Sequence, residues 1–422
     1  MTEPTSPLQI PDYRLFWLAR FASVVATTGM VVALGYQLYD LARTAYGMSI
    51  PGAAFQLGLL GLAQFLPLML LTPIAGVVAD RYDRRFVAGL AISLDIGVAA
   101  TLGAVTTFGG LSLPLLFLLA ALHGAARVFV GPAMGAIAPN IVPAQLIPRA
   151  IAFNSIAMQA GIVTGPAAAG FLFASHPALP YWSGMASLAL SCTCVLLIRR
   201  MPPLIKSRET RPLRQIIDGF RFVWNDRFLL GCITLDLFAV LLGGATALLP
   251  VFARDILHVG PEGLGQMRAA PAVGAGIVAL WLSWRPLATN VGAKMLWAVA
   301  AYGTATAIFG LSREFLFSLG LLALLGAADM VSVFVRTSLV QLNTPDEVRG
   351  RVSAISGLAI SASNELGEMQ SGLAAAFLGA TGAVVFGGAG AIVITVLWAW
   401  MFPEIRRART FAPQYRQTET TP

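Results

Sequence analysis

The chain has 422 residues, of which 57% are hydrophobic and only 11% are Asp, Glu, Lys or Arg, against about 25% charged residues in a soluble domain. At a mean hydropathy of +0.75 no polar shell can cover the apolar surface, so a soluble fold is excluded. The formal net charge of +8 would suggest nucleic acid in a soluble chain, but here it has to be read by position.

A helix needs about 20 mainly apolar residues to cross a bilayer. By that ruler the chain crosses near residues 14–38, 55–79, 86–108, 113–138, 148–174 and 179–198. After a polar break it crosses again near 228–252, 263–284, 290–311, 314–341, 348–376 and 380–402. The polar, proline-containing start MTEPTSPLQIPDY is not a cleavable signal, so the first span is expected to be the insertion signal. Cys192, Cys194 and Cys232 lie inside apolar stretches, and His123, His176 and His258 stand apart from one another and from the cysteines. Neither a disulfide framework nor a metal site is expected, and no catalytic set is assigned.

Orientation follows from the loops. Twenty-two of the 28 Lys and Arg residues fall on one side: Arg14, Arg81, Arg84, Arg85 and Arg149, eight between Arg199 and Arg227, then Arg285, Lys294, Arg336, Arg349, Arg351, Arg406, Arg407, Arg409 and Arg416. The other side has Arg43, Arg254 and Arg313, while Arg20, Arg127 and Arg268 lie within spans. Both termini are therefore expected in the cytoplasm of a multi-pass inner membrane protein. The scarcity of Lys beside Arg suggests a bacterial source. The positive charge belongs to the membrane, and nucleic acid is not a partner.

Residues 124–170 and 326–372 align without a gap, setting Gly124 on Gly326, Pro143 on Pro345, Arg149 on Arg351, Gly165 on Gly367 and Gly170 on Gly372. Two six-span units in the same orientation are a parallel repeat. The expected division is a six-helix bundle over 1–198, a basic linker over 199–227, a second bundle over 228–402 and a cytoplasmic tail over 403–422. In the linker, Leu213, Ile216, Ile217, Phe220 and Trp224 recur at helical spacing, with Arg214 and Arg221 opposite. That pattern predicts an amphipathic helix on the inner leaflet; a basic linker that sets topology is the plainer alternative.

After the second span stands Gly76-Val-Val-Ala-Asp80-Arg81-Tyr-Asp83-Arg84-Arg85. It resembles the loop signature of the major facilitator superfamily, G-x-x-x-D-R-x-G-R-[RK], with Asp83 in place of glycine. Gly76 allows close helix approach, Asp80 suits a helix N-terminus, and Arg81, Arg84 and Arg85 are expected to pair across the cytoplasmic seam as a gate. The plainer reading is that they only set topology. On the fifth span, Gly161-Ile-Val-Thr-Gly165-Pro166-Ala-Ala-Ala169-Gly170 resembles that superfamily's antiporter motif, G-x-x-x-G-P-x-x-G-G, departing from it at Ala169. Small residues four apart permit close packing and Pro166 bends the helix; the motif points toward export. Arg127 and Gly131 resemble the R-x-x-Q-G pattern, with Val130 replacing the glutamine. Together with TPDEVRGRV (Thr344 to Val352) and PDYRLFWLARFAS, the chain resembles the twelve-span exporter branch that holds siderophore exporters and macrolide-type drug:proton antiporters. The implied fold is all-α, twelve transmembrane helices in two pseudo-symmetric six-helix bundles.

Ionisable groups within spans are costly and call for a partner or a task. Depth along the helices places Arg20, Arg127, Asp236 and Asp329 in the cytoplasmic half of spans 1, 4, 7 and 10, which the resemblance implies line the central cavity. Asp95 on span 3 is at a depth from which it can pair with Arg127. On span 11, Asn364, Glu365 and Glu368 share one face, a proton-carrier candidate that also offers charge to a cationic substrate. Fixed ion pairs or a solvated wall are the plainer readings.

Three functions compete: a proton-coupled exporter of an amphipathic small molecule (drug, siderophore or lipophilic metabolite), an uptake permease for a nutrient, and a membrane-embedded sensor or enzyme. The third lacks a paired-histidine motif, a G-x-S-x-G and an appended domain, and no phosphate loop supports a primary pump. The expected transporter is a monomer without a cofactor, driven by an ion gradient.

Overall fold

The computed structural model describes residues 6–200, 212–285 and 287–412. Among them every regular element is helical. The first six long helices are α1 (Pro11–Thr44), α2 (Ile50–Arg81), α3 (Arg84–Phe108), α4 (Leu113–Ile141), α5 (Ile147–Ser175) and α6 (Leu179–Leu197). A short helix, α7 (Pro212–Asn225), leads into α8 (Arg227–Leu242) and the three-residue α9 (Leu249–Val251). There follow α10 (Gly260–Trp284), α11 (Val291–Leu311), α12 (Phe315–Leu342), α13 (Asp346–Met401) and α14 (Pro403–Arg407). Proline opens the first turn of α1, α4, α5 and α6, where its missing N–H costs nothing and its fixed φ suits the helix.

Eleven continuous segments are long and apolar enough to cross a membrane, but the last, Val348–Met401, runs for 54 residues. That is about 81 Å at helical rise, more than twice the hydrocarbon thickness. Within α13, Gly379 takes φ 71 and ψ 167, a conformation open to glycine and strained for other residues. It divides α13 into two limbs, and the twelve crossings of the sequence reading stand.

The seventh crossing departs from the single helix expected over 228–252. α8 stops at Leu242, and the chain continues through a 3₁₀ turn (Ala245–Leu248), α9 and a π-turn (Phe252–Ile256). The break sits at Gly243-Gly244, where an added Cβ would lie 2.7 Å from Tyr302 Cε1 and 2.7 Å from the Gly367 carbonyl oxygen respectively. Tyr302 Oη donates to the Gly243 carbonyl at 3.0 Å, re-satisfying a polar group that hydrocarbon would leave stranded.

Two compact units emerge: Met1–Ser49 with Leu59–Arg208 and Pro250–Ala269, and Ile50–Gly58 with Glu209–Leu249 and Ala270–Pro422. Relative to the boundaries expected from sequence, the short stretches 50–58 and 250–269 are exchanged. Glycine crossings give the reason. In the first unit, Gly265 of α10 lies backbone to backbone against Gly170 of α5, where an added Cβ on Gly170 would stand 2.5 Å from the Pro261 carbonyl oxygen. In the second, Gly58 of α2 meets Gly372 of α13, where a Cβ on Gly58 would stand 2.9 Å from the Gly372 Cα.

The repeat is legible in these contacts. Gly124 seats α4 on α2 at Gln64, and Gly326 seats α12 on α10 at Pro271. Gly165 packs on α1 at Val25 and Gly29, and Gly367 packs on α8 at Val240 and Leu241. Within the first unit α1 packs on α5 and α6, and α3 on α4 and α6; within the second, α11 and α8 pack on α13. α7 docks on α13 through Val223 and Gly219, while Ile217, Phe220 and Trp224 stay exposed, the last two rings stacked with centroids 5.7 Å apart. Three of the five residues of the apolar stripe read from sequence are thus presented outward; the side chains of Leu213, Arg214 and Ile216 lie outside the described residues, as do residue 416 and the rest of the tail beyond 412.

Candidate transport and coupling sites

The loop between α2 and α3 is built differently from its sequence expectation. Asp80 falls in the last turn of α2, not at the start of a following helix, and the surroundings of Gly76 and the Asp80 side chain lie outside what is described. The capping carboxylate is Asp83: it accepts from the Arg85 backbone N–H at 3.0 Å and from Arg85 Nη2 at 2.7 Å. The departure from the motif's glycine is therefore functional as an N-cap. The hydrogen bond from the Arg85 side chain, with its backbone bond and charge added, holds the Asp83 carboxyl below the usual carboxylate range. Arg84 Nη1 donates to the Ala136 carbonyl on α4 at 3.2 Å, and Arg85 Nη1 donates to the Ile198 carbonyl after α6. These partners are all in the first unit. The expectation that Arg84 and Arg85 reach across a seam is corrected: they staple the ends of three helices of one unit together.

Gly161, Gly165 and Gly170 are explained by what lies against α5. A Cβ on Gly161 would stand 2.7 Å from Val24 Cγ1, and one on Gly165 2.6 Å from the Val25 carbonyl oxygen. Thr28 Oγ1 donates to the Gly161 carbonyl at 3.3 Å. Pro166 removes one ladder bond within the same stretch, and its carbonyl would be 2.6 Å from a Cβ on Gly265. The antiporter-like helix is thus clamped between α1 and α10. Where α1, α5 and α6 meet, Gly29, Gly165, Ala169, Gly184 and Ser187 leave a small cavity.

The in-span charges do not form the four-member set expected. Arg20 contacts Met158 Sδ at 3.2 Å on the α1–α5 seam that Tyr13 and Trp17 also stitch, through Ala150 and Phe153 carbonyls at 2.6 and 2.9 Å. Asp95 meets His123 Nδ1 at 2.7 Å with both side chains 2% exposed; its expected pairing with Arg127 gives way to a residue that the sequence reading left without a task. Asp236 pairs with Arg336, which the sequence reading had counted among the loop arginines although it is buried in α12. Asp329 shares a small cavity with Asp236, Val299, Tyr302 and Ser332. Arg127, Glu365 and Glu368 are each engaged in contacts of their own, and Glu365 and Glu368 stand on one turn of α13 with Asn364 exposed beside them.

A further polar cluster at the end of α1 escaped the sequence reading. Tyr39 Oη donates to Asp255 Oδ2 at 2.5 Å, Arg43 Nε approaches the same carboxylate at 3.7 Å, and Arg254 Nη2 pairs with Asp40 at 3.2 Å. The π-turn over Phe252–Ile256 is what sets Arg254 and Asp255 toward α1. Only its arginines had been noticed, as two of the three on the charge-poor side. A turn of that type leaves no spacing signature from which the pairing could be read.

A family described as transmembrane secretion effector matches residues 2–416. The chain belongs to that family. The enterobactin exporter EntS of Escherichia coli O1:K1 / APEC is 28% identical to it over 97% of this chain and 96% of that protein, and the Escherichia fergusonii EntS matches to the same extent. Among solved structures, a bacterial homologue of the lysosomal transporter Spinster superposes with a TM-score of 0.70 at 15% identity, over 94% of this chain and 97% of that one. A D-xylose–proton symporter superposes with a TM-score of 0.70 at 14% identity, over 94% and 98%. A bacterial ferroportin homologue superposes with a TM-score of 0.66 at 17% identity, over 93% and 99%. The transporter therefore has the twelve-helix major facilitator fold. It is a secondary transporter, and export fits its family better than uptake or an enzymatic role.

Proposed function

We propose that the transporter exports an amphipathic, siderophore-like small molecule from the bacterial cytoplasm by alternating access, driven by the inward proton gradient. It sits in the inner membrane with both termini cytoplasmic and works as a monomer. The observation that carries this reading is the end-to-end similarity to enterobactin exporters, with 97% of this chain and 96% of the relative aligned. Carboxylates within spans, Asp236, Asp329, Glu365 and Glu368, support coupling to protons, because a carboxylate in low dielectric is stable either paired or protonated. Apolar and aromatic walls would supply most of the substrate binding. The test is complementation: in an E. coli strain lacking its enterobactin exporter, expression under iron limitation should restore enterobactin to the medium and lower it in the cells. Unchanged medium and cell levels, with the protein present in the membrane, would overturn the siderophore assignment, and net accumulation in the cells would favour an uptake permease.

A further inference from the structure

The second unit holds two carboxylates in one small cavity whose surroundings differ sharply. Asp236 on α8 is 7% exposed and forms an ion pair with Arg336, itself 3% exposed. Asp329 and Arg336 lie seven residues apart on α12, two turns along the same helix face and about 10.5 Å apart in rise. Arg336 pairs with Asp236 on α8 and not with Asp329 on its own helix. Asp329 lines the cavity with Asp236, Tyr302 and Ser332 and has no hydrogen-bond or ion-pair partner among the described residues. The titratable groups lining this cavity, among the described residues, are Asp236 on α8, Tyr302 on α11 and Asp329 on α12; Arg336 adjoins it through its pair with Asp236, and Cys232 on α8 interacts with Arg336. Tyr302 spends its hydroxyl proton on the Gly243 carbonyl at 3.0 Å, so it does not donate to Asp329.

We infer that Asp329 is the proton-exchanging residue of the second unit and that Asp236 is a fixed counter-ion held ionised by Arg336. This rests on the proton-coupled reading above. The physical ground is that one buried guanidinium can compensate one carboxylate, so two carboxylates in one cavity are driven into different roles by their partners. A carboxyl within a span and without a cation beside it favours the neutral acid, whereas one paired with a guanidinium favours the anion. When the cavity opens to water on the side of low proton concentration, Asp329 releases its proton to solvent, and two carboxylates then compete for Arg336. That competition gives the helix pair α8–α12 a reason to repack, which is how a proton would bias the conformational equilibrium. Of the sequence candidates, Asp236 and Asp329 thus separate into a positioning residue and a proton carrier, and Arg336 joins them.

Infrared difference spectroscopy of the purified transporter in liposomes, titrated between acid and alkaline pH without substrate, tests the assignment directly. The protonated-carboxyl stretching band of the wild type should be lost in Asp329→Asn and kept in Asp236→Asn/Arg336→Gln, a double change that removes the ion pair without stranding a buried charge. In proteoliposomes with enterobactin as the probe, Asp329→Asn should lose proton movement while exchange of labelled for unlabelled enterobactin persists; the double variant, which keeps the exchanging carboxyl but lacks the Arg336 competition, should keep the infrared band and lose coupling of proton movement to enterobactin. A band, or proton movement, that survives in Asp329→Asn overturns the inference, as does loss of the band in the double variant alone. Wild type that carries enterobactin without moving protons overturns the coupling reading instead. In that event the infrared titration still decides whether Asp329 is the exchanging group.

Discussion

Asp83 shows how one side chain can replace a glycine and keep the turn. Its carboxylate caps α3 and clasps the Arg85 guanidinium. Asp83→Ala should lower stability by about 1 kcal/mol, the usual worth of an N-cap, whereas Asp83→Gly should cost only a few tenths; thermal unfolding of the purified protein in detergent reads both. The sign of its pH dependence is fixed by the depressed pKa. The stabilisation is present above the unfolded carboxyl value of about 3.9 and is lost as pH falls through the folded value below it. The difference between wild type and Asp83→Ala should therefore hold from neutral pH down to about pH 5 and vanish only in stronger acid. The Asp95–His123 pair offers a second test at this scale. With both side chains 2% exposed, removing one partner strands the other, which costs about 1–3 kcal/mol. Asp95→Leu and His123→Leu should each lower the melting temperature, and the double change should cost less than the sum of the two. A strictly additive double variant would mean that the hydrogen bond contributes nothing to stability.

At the scale of helices, glycine decides which pairs touch. A side chain at Gly170 would enter the backbone of α10, and one at Gly58 would enter that of α13. Gly170→Val and Gly58→Val should each destabilise by about 1–3 kcal/mol through overpacking. Gly131, where an added Cβ meets nothing within 4 Å, should accept alanine with no loss, since alanine gains up to about 1 kcal/mol in helix propensity. The comparison is made by melting temperature at matched expression, and equal losses at all three sites would remove the crossings as an explanation. Breaks follow the same logic as contacts. The Gly243-Gly244 interruption was not foreseen because an apolar run shows hydropathy but not where a neighbouring backbone will press against it. The Gly379 break falls between the spans read near 348–376 and 380–402, in a 54-residue apolar run too long for one crossing.

For the molecule as a whole, topology is the property most open to direct measurement. In a variant with Cys192, Cys194 and Cys232 replaced by serine, new cysteines at Ser112 and at Gly382 should react with an impermeant reagent in intact cells. One at Arg221 on the exposed face of α7 should react only after permeabilisation. Labelling at Arg221 from outside would reverse the orientation drawn from the arginine distribution.

Hydropathy, the proline-opened first turns and the 202-residue repeat offset determined the helix count, the parallel duplication and the family resemblance, because each is a local or periodic property of the chain. The pairing of Asp236 with Arg336, of Asp95 with His123, and of Tyr39, Asp40 and Arg43 with the turn at Arg254 and Asp255 was decided only by the tertiary structure. In a membrane, every buried charge must find a partner, but many arrangements of the same charges satisfy that demand at equal depth. Arg336 could be tallied as a topology signal until the packing of α12 on α8 brought its guanidinium to Asp236 and left Asp329 without one.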